Sequence, residues 1–231
     1  MKEIQLNPQQ LEAVSHKDGP MVVLSVVGSG KTMVLTERII HLIEEYGINP
    51  TNLLAITFAK KAVLEIISRL EKRLSGNGDK AIVCTFHSLG YRILRAEGYP
   101  INGFRLVHNG EQMNIFRQAM DKADMKEEPS LLLSRISLAK NDLISPSDLE
   151  QSSKPEDKKL SKVYHCYELL KRRKRLVDFD DLLYLPYQLF REDKGMLEYY
   201  QSRFQHILVD EFQDSSKIMV EILKLLSQTH Q

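Results

Sequence analysis

The stretch Met21-Val22-Val23-Leu24-Ser25-Val26-Val27-Gly28-Ser29-Gly30-Lys31-Thr32 decides the reading of this chain. A short β-branched run enters a glycine-containing loop. An amphipathic stretch then runs from Lys31 to Tyr46, with Val34, Leu35, Ile39, Leu42 and Ile43 at helical spacing. The run predicts a buried strand and the stretch a helix, which Gly47 and Pro50 end. The loop fits G-x-x-x-x-G-K-S/T except that Ser25 replaces the first glycine. Gly28, Ser29 and Gly30 let backbone N–H groups turn inward around a phosphate, and the helix N-terminus adds its positive dipole. In such a loop Lys31 reaches the β- and γ-phosphates and the Thr32 hydroxyl ligates Mg²⁺. The competing reading, a chance glycine turn, is disfavoured by Gly-Lys-Thr standing at a helix start. Val26 and Val27 narrow the loop, because β-branched side chains resist positive φ.

Outward from this loop, Leu53-Leu54-Ala55-Ile56-Thr57 reads as a second strand and Ala59 to Leu74 as a second helix. Gly76-Asn77-Gly78 is a turn, and Ala81-Ile82-Val83-Cys84-Thr85 a third strand. Strand and helix in alternation predict an α/β fold with a parallel sheet. After Phe86 the periodicity is mainly helical, from about 89 to 203. Phe204 to Asp210 restores a strand and Ser215 to Leu226 a final helix. The expected organisation is an α/β core of 1–88 and 204–231 carrying a helical insertion, 89–203.

Ile207-Leu208-Val209-Asp210-Glu211 ends an apolar strand in two carboxylates, where open parallel sheets place their ligands. Phosphoryl transfer needs one carboxylate to hold the metal and another to handle the attacking water. Asp210 is the expected metal carboxylate and Glu211 the expected general base. An isolated Asp-Glu pair is commonly just solvated; the strand before it and the phosphate loop upstream shift the balance.

The chain has 231 residues, 42% of them hydrophobic, with 32 Lys+Arg against 31 Asp+Glu. Such a composition excludes a wholly disordered chain. No apolar run approaches the ~20 residues of a membrane-spanning helix, and the N-terminus lacks a secretory h-region. Two cysteines are too few for a disulfide framework, so a reducing cytoplasm is expected. The near-neutral total hides an uneven distribution: residues 101–175 carry 15 basic and 11 acidic side chains, residues 176–231 carry 5 and 10. Lys171-Arg172-Arg173-Lys174-Arg175 is the densest basic run, read either as a solvated helix end or as a duplex-contacting patch. Cys84 and His87 form a lone C-x-x-H pair; without a second pair, a buried strand cysteine is preferred over zinc. No nucleophile elbow supports a Ser/His/Asp hydrolase. Phe58, followed by Lys60 and Lys61 at a strand end, suits base stacking, and equally suits a core aromatic under the helix.

Asp210-Glu211-Phe212-Gln213-Asp214-Ser215 resembles the D-E-x-Q-D-T/S box of superfamily-one DNA helicases of the UvrD/Rep/PcrA type. Leu6-Asn7-Pro8-Gln9-Gln10, Thr57-Phe58-Ala59-Lys60-Lys61-Ala62 and Thr85-Phe86-His87-Ser88 are similar to three further motifs in order. Ile136-Ser137-Leu138-Ala139-Lys140-Asn141 and Asp178-Phe179-Asp180-Asp181-Leu182-Leu183 resemble features of that family's helical insertion. The resemblance implies a partial RecA-like fold and an ATP-dependent motor translocating on single-stranded DNA, with ATP and Mg²⁺ as cofactors. It implies that Gln10 reads the adenine edge, that Phe58 stacks a base beside Lys60, and that Thr85, His87 and Ser88 touch the backbone. Single-stranded DNA and duplex junctions are the implied partners. The sequence departs from the family at Ser25 to Gly28, at Ala59-Lys60 and at Met33, where an arginine is usual. It also ends before the Gly-Asp-x-x-Gln-Ser box and the second RecA-like domain. The expectation is therefore an N-terminal segment, poorly active alone, with the remaining helicase domains C-terminal to residue 231. The rivals are the motor part of a helicase–nuclease and a regulatory binding module that does no ATP work.

Overall fold

The computed structural model describes residues 5–17, 19–26, 28–74, 80–99 and 102–229. Val27 and the expected Gly76–Gly78 turn lie outside these. In chain order the elements are α1 (Pro8–Ser15), α2 (Lys31–Glu44), β1 (Leu53–Ile56), α3 (Lys60–Arg73), β2 (Ile82–Cys84) and α4 (Phe86–Glu97). Then come β3 (Arg105–Leu106), α5 (Asn109–Lys122), α6 (Pro129–Asn141), α7 (Pro146–Glu150), α8 (Pro155–Arg173), β4 (Leu176–Val177) and α9 (Asp181–Glu192). The chain closes with α10 (Lys194–Arg203), β5 (His206–Val209) and α11 (Lys217–Ser227). None of the described helices is long and apolar enough to cross a membrane.

The chain is α/β, with a small all-parallel sheet in the order β2-β1-β5. Ala55 pairs with Val83 on one side and with Leu208 on the other, so β1 is the central strand. All four of its residues are buried, as a strand covered on both faces must be. Ile39, Leu42, Ile66, Leu70 and Val83 pack with it into one apolar cluster. A second core gathers around Phe116, Ile136, Tyr164 and Tyr167 from α5, α6 and α8.

Two compact units result. One comprises Met1–Phe86, Lys194–Asp214 and Leu223–Gln231; the other comprises His87–Asp193 and Ser215–Ile222. In the second, helical periodicity hid a two-stranded parallel sheet, in which Arg105 pairs with Leu176 and Leu106 with Val177. Two residues are too few to impose a period on the sequence.

One expectation is corrected. Residues 21–24 form no strand, and the run is open to water, with Val22 81% and Leu24 91% exposed. Strand propensity records packing against neighbours more than backbone preference. Among the described residues β5 pairs only with β1, so this run has no ladder to join.

Candidate functional site

The loop after residues 21–26 turns back on itself through a Ser29 N–H that donates to the Val26 carbonyl at 3.3 Å. Gly28 and Gly30 both adopt left-handed backbone, at φ 80° and 86°. Gly30 also has tight surroundings, since a Cβ there would sit 3.3 Å from Cε of Met33. Gly30 caps α2 without any side-chain hydrogen bond, so the first N–H groups of that helix face the loop unclaimed by a cap. The Ser29 hydroxyl is buried and has no hydrogen-bond partner among the described residues. Left-handed glycines, a helix start and an orphaned buried hydroxyl together make a cradle suited to an oxyanion.

Gln10 closes the cradle from α1. Its Oε1 accepts from the Asn7 N–H at 3.0 Å, in a reciprocal capping box with Pro8 at the first helical position. Its Nε2 donates to the Ser29 carbonyl at 3.1 Å. One amide thereby ties the start of α1 to the loop. The other end of α1 is held by Arg38, which donates to the carbonyls of Ala13, Val14 and His16, and by Tyr46, which donates to Ser15.

Two residues of α2 meet the end of β5. Thr32 Oγ1 donates to Asp210 Oδ2 at 3.4 Å, and Lys31 Nζ lies 3.4 Å from Glu211 Oε1. Asp210 is fixed by its own N–H, which continues the ladder to the Ile56 carbonyl at 2.8 Å. Burial, and then the neighbouring Glu211, raise the Asp210 carboxyl above the ordinary range. Glu211 moves the other way: a hydrogen bond from Gln213 and the Lys31 ammonium lower it. Glu211 also has a left-handed backbone at φ 51°, rare for a non-glycine residue and a form of strain that concentrates at functional sites. A hydroxyl and a carboxylate side by side are the oxygen donors a hard divalent cation takes, so Thr32 and Asp210 fit Mg²⁺.

The remaining sequence candidates divide between the units. Phe58 is half-buried and packs edge-on against Phe86, centroids 6.0 Å apart, so core and surface roles meet in one ring. Lys60 is exposed at the start of α3, and Thr85 is buried. In the second unit Ser88 is half-buried on α4, and His87 stacks flat on Phe179, centroids 3.8 Å apart. Burial lowers the His87 pKa to about 4, so the ring is neutral at pH 7. Among the described residues Cys84 and His87 belong to no group of three metal-competent side chains.

Reading the sequence missed two features. Phe179 stands out from its motif as a stacked yet 58% exposed aromatic. The basic run 171–175 is no uniform solvated end, because Lys171 is fully buried while Arg172 and Arg173, which follow it in α8, are exposed. Its ammonium, with that of Lys140, fills the space between Glu168, Asp178 and Asp181, so two lysines already occupy the centre of those three carboxylates. The signal was present in Lys140, which follows the apolar Leu138-Ala139, and in the aspartates of 178–181, which stand between Leu176-Val177 and Leu182-Leu183.

A family model described as UvrD/REP helicase N-terminal domain matches residues 6–231. The chain is 35% identical over 229 residues to "ATP-dependent DNA helicase PcrA" of Staphylococcus aureus (strain Mu50), and equally to that of Staphylococcus epidermidis. It is 35% identical over 231 residues to the protein of that name from Leuconostoc citreum. In each case the match covers 96% of this chain and 31% of the relative, so the chain spans under a third of these curated relatives.

Proposed function

The chain belongs to the UvrD/REP helicase family, and on that premise we propose that it is the nucleotide-binding segment of an ATP-dependent DNA helicase motor that moves on single-stranded DNA. In this reading residues 1–88 and 204–231 form a RecA-like core and 89–203 a helical insertion. The observation that carries it is the double contact of α2 with the end of β5, Thr32 to Asp210 and Lys31 to Glu211.

The N–H groups at the start of α2 and the Lys31 ammonium take the phosphates of ATP, and the Ser29 hydroxyl adds a donor beside them. Gln10 holds the loop against α1 and reads the base. Thr32 and Asp210 hold Mg²⁺, which when bound neutralises charge building on the phosphate oxygens. Glu211 accepts a proton from the attacking water. None of the contacts that Lys31, Thr32, Asp210 and Glu211 make among the described residues involves an arginine. Arginine stabilisation is worth ~10³–10⁵ in rate, so hydrolysis by this chain alone is slow. On the DNA side, Phe58 beside Lys60 and, separately, Phe179 over His87 offer π-faces to unpaired bases, with Thr85 and Ser88 near the backbone.

A fluorescent ATP analogue titrated with Mg²⁺ present tests the nucleotide half. Saturable binding is expected for this chain and its loss for Lys31→Ala; equal affinity of the two would refute the assignment. Anisotropy of a labelled oligothymidylate tests the DNA half. Phe58→Ala should weaken binding by ~1–3 kcal/mol.

A further inference from the structure

The turn 178–181 is held by an arrangement of buried charge that no nucleotide or nucleic-acid contact uses. Asp178 and Asp181 cap one another, each backbone N–H donating to the other's carboxylate at 2.9 Å. Lys171 Nζ donates to both carboxylates at 2.6 Å, and Lys140 Nζ reaches Asp181 at 2.6 Å and Asp178 at 3.3 Å. The Tyr167 hydroxyl adds a hydrogen bond to Asp178 at 3.0 Å. Burial alone would neutralise these groups. The facing opposite charges overcome it at three of them, holding Lys140 and Lys171 above the ordinary lysine range and Asp178 below the carboxylate range, while burial and the adjacent Asp178 push Asp181 up to about 6.

Apolar residues of similar volume commonly serve stability as well as or better than a buried ion network, so its yield is sought in geometry. The geometry is specific. Asp180, the third acid of the turn, accepts from Ser137 Oγ at 2.9 Å. Three of the four side chains in Asp178-Phe179-Asp180-Asp181 are thus pinned inward on α6 and α8, and the fourth, Phe179, is turned out over His87.

We propose that Lys140 and Lys171 are positioning residues, which by gripping Asp178 and Asp181 set the turn that presents Phe179 to an unpaired nucleic-acid base. The inference rests on the stacking role given to Phe179 above. Without the grip the turn loses its fixed backbone and the ring its place over His87, while the apolar core of α5, α6 and α8 remains.

The test is a double-mutant cycle in this chain with Phe179→Ala, Lys171→Met and both, titrated against an oligothymidylate carrying one 2-aminopurine. Stacking predicts quenching of the 2-aminopurine by the unaltered chain and a loss of affinity of roughly 5- to 150-fold in Phe179→Ala. Positioning predicts that Lys171→Met loses the same quenching and that the double variant binds no more weakly than Phe179→Ala. Circular dichroism identifies a Lys171→Met chain that fails to fold; Lys140→Met/Asp181→Asn, removing one charge of each sign, then replaces it. Leu132→Ala, a core truncation in the same unit, should lower the melting temperature and leave quenching intact. Wild-type quenching in Lys171→Met, or additive losses, overturns the positioning role and leaves the stacking role standing. Unchanged affinity in Phe179→Ala overturns both.

Discussion

The rings of His87 and Phe179 lie 3.8 Å apart, centroid to centroid, and within 16° of parallel. Three residues further along each segment, Gly90 and Leu182 come closer still. A Cβ on Gly90 would stand 1.7 Å from the Leu182 carbonyl oxygen. One crossing of α4 over the start of α9 therefore sets both the backbone contact and the stack. That crossing is possible because Pro186, inside α9, has no N–H with which to claim the carbonyl four residues before it.

Gly90→Ala should consequently destabilise the chain by about 1–3 kcal/mol, since the added methyl meets backbone and not a movable side chain. The urea midpoint at fixed m-value measures it. A loss under half a kcal/mol would show that the crossing yields without strain.

The pH dependence follows from His87. Its ordinary pKa is 6.5 and burial lowers it to about 4 in the folded chain, so the unfolded chain takes up a proton first as pH falls. The stabilisation is fully present above pH 6.5 and is lost as the pH drops towards 4. Thermal midpoints across that window should fall more steeply for the unaltered chain than for His87→Phe. Parallel curves would contradict the assignment.

Arg38 anchors the end of α1 by donating to three carbonyls. Arg38→Met leaves them unpaired beneath the helix and should cost about 1–3 kcal/mol. Hydrogen exchange should rise across residues 8–15 first, because only Gln10 and the Tyr46 hydroxyl then tie that helix down. Exchange that rises uniformly through the chain would point to a global effect.

Lys31→Ala separates stability from binding. The Lys31–Glu211 pair is partly open to water, and such pairs contribute at most about 1 kcal/mol. The melting temperature should barely move while nucleotide affinity collapses. A large drop in melting temperature would mean that the lysine is structural.

The exposed run offers a contrasting case. Val22→Thr with Leu24→Ser should change stability by less than about 0.5 kcal/mol, since neither side chain is buried, and should raise solubility. A marked destabilisation would show that the run packs in solution.

The parallel alternation of β1, α3 and β2 was legible because β1 is apolar throughout and α3 repeats at helical spacing. The same logic misread residues 21–24, which have strand composition and no neighbouring ladder; composition reports what a segment can do, and pairing depends on the rest of the fold. Lys31, Thr32, Asp210 and Glu211 were nameable from spacing. That Lys31 faces Glu211 while Thr32 faces Asp210 depends on the register of β5 beside β1, which no local pattern encodes. The place of Lys171 was hidden by its neighbours: five consecutive cations read as one exposed run, although helical rotation turns a single one of them inward. Phe179 was quoted for its motif, yet its exposure depends on bonds that its flanking aspartates make with distant helices.

The Lys31–Glu211 contact joins two events that a reaction would otherwise treat separately. Each group is the other's counterion, so a polyphosphate drawing off the lysine also releases the carboxylate. In the proposed nucleotide-binding reading, arrival of the anion and freeing of the base become one equilibrium. Under the proposed function the contact is an interlock: until an anion engages Lys31, the group assigned to prepare a water is occupied by the group assigned to hold the phosphate.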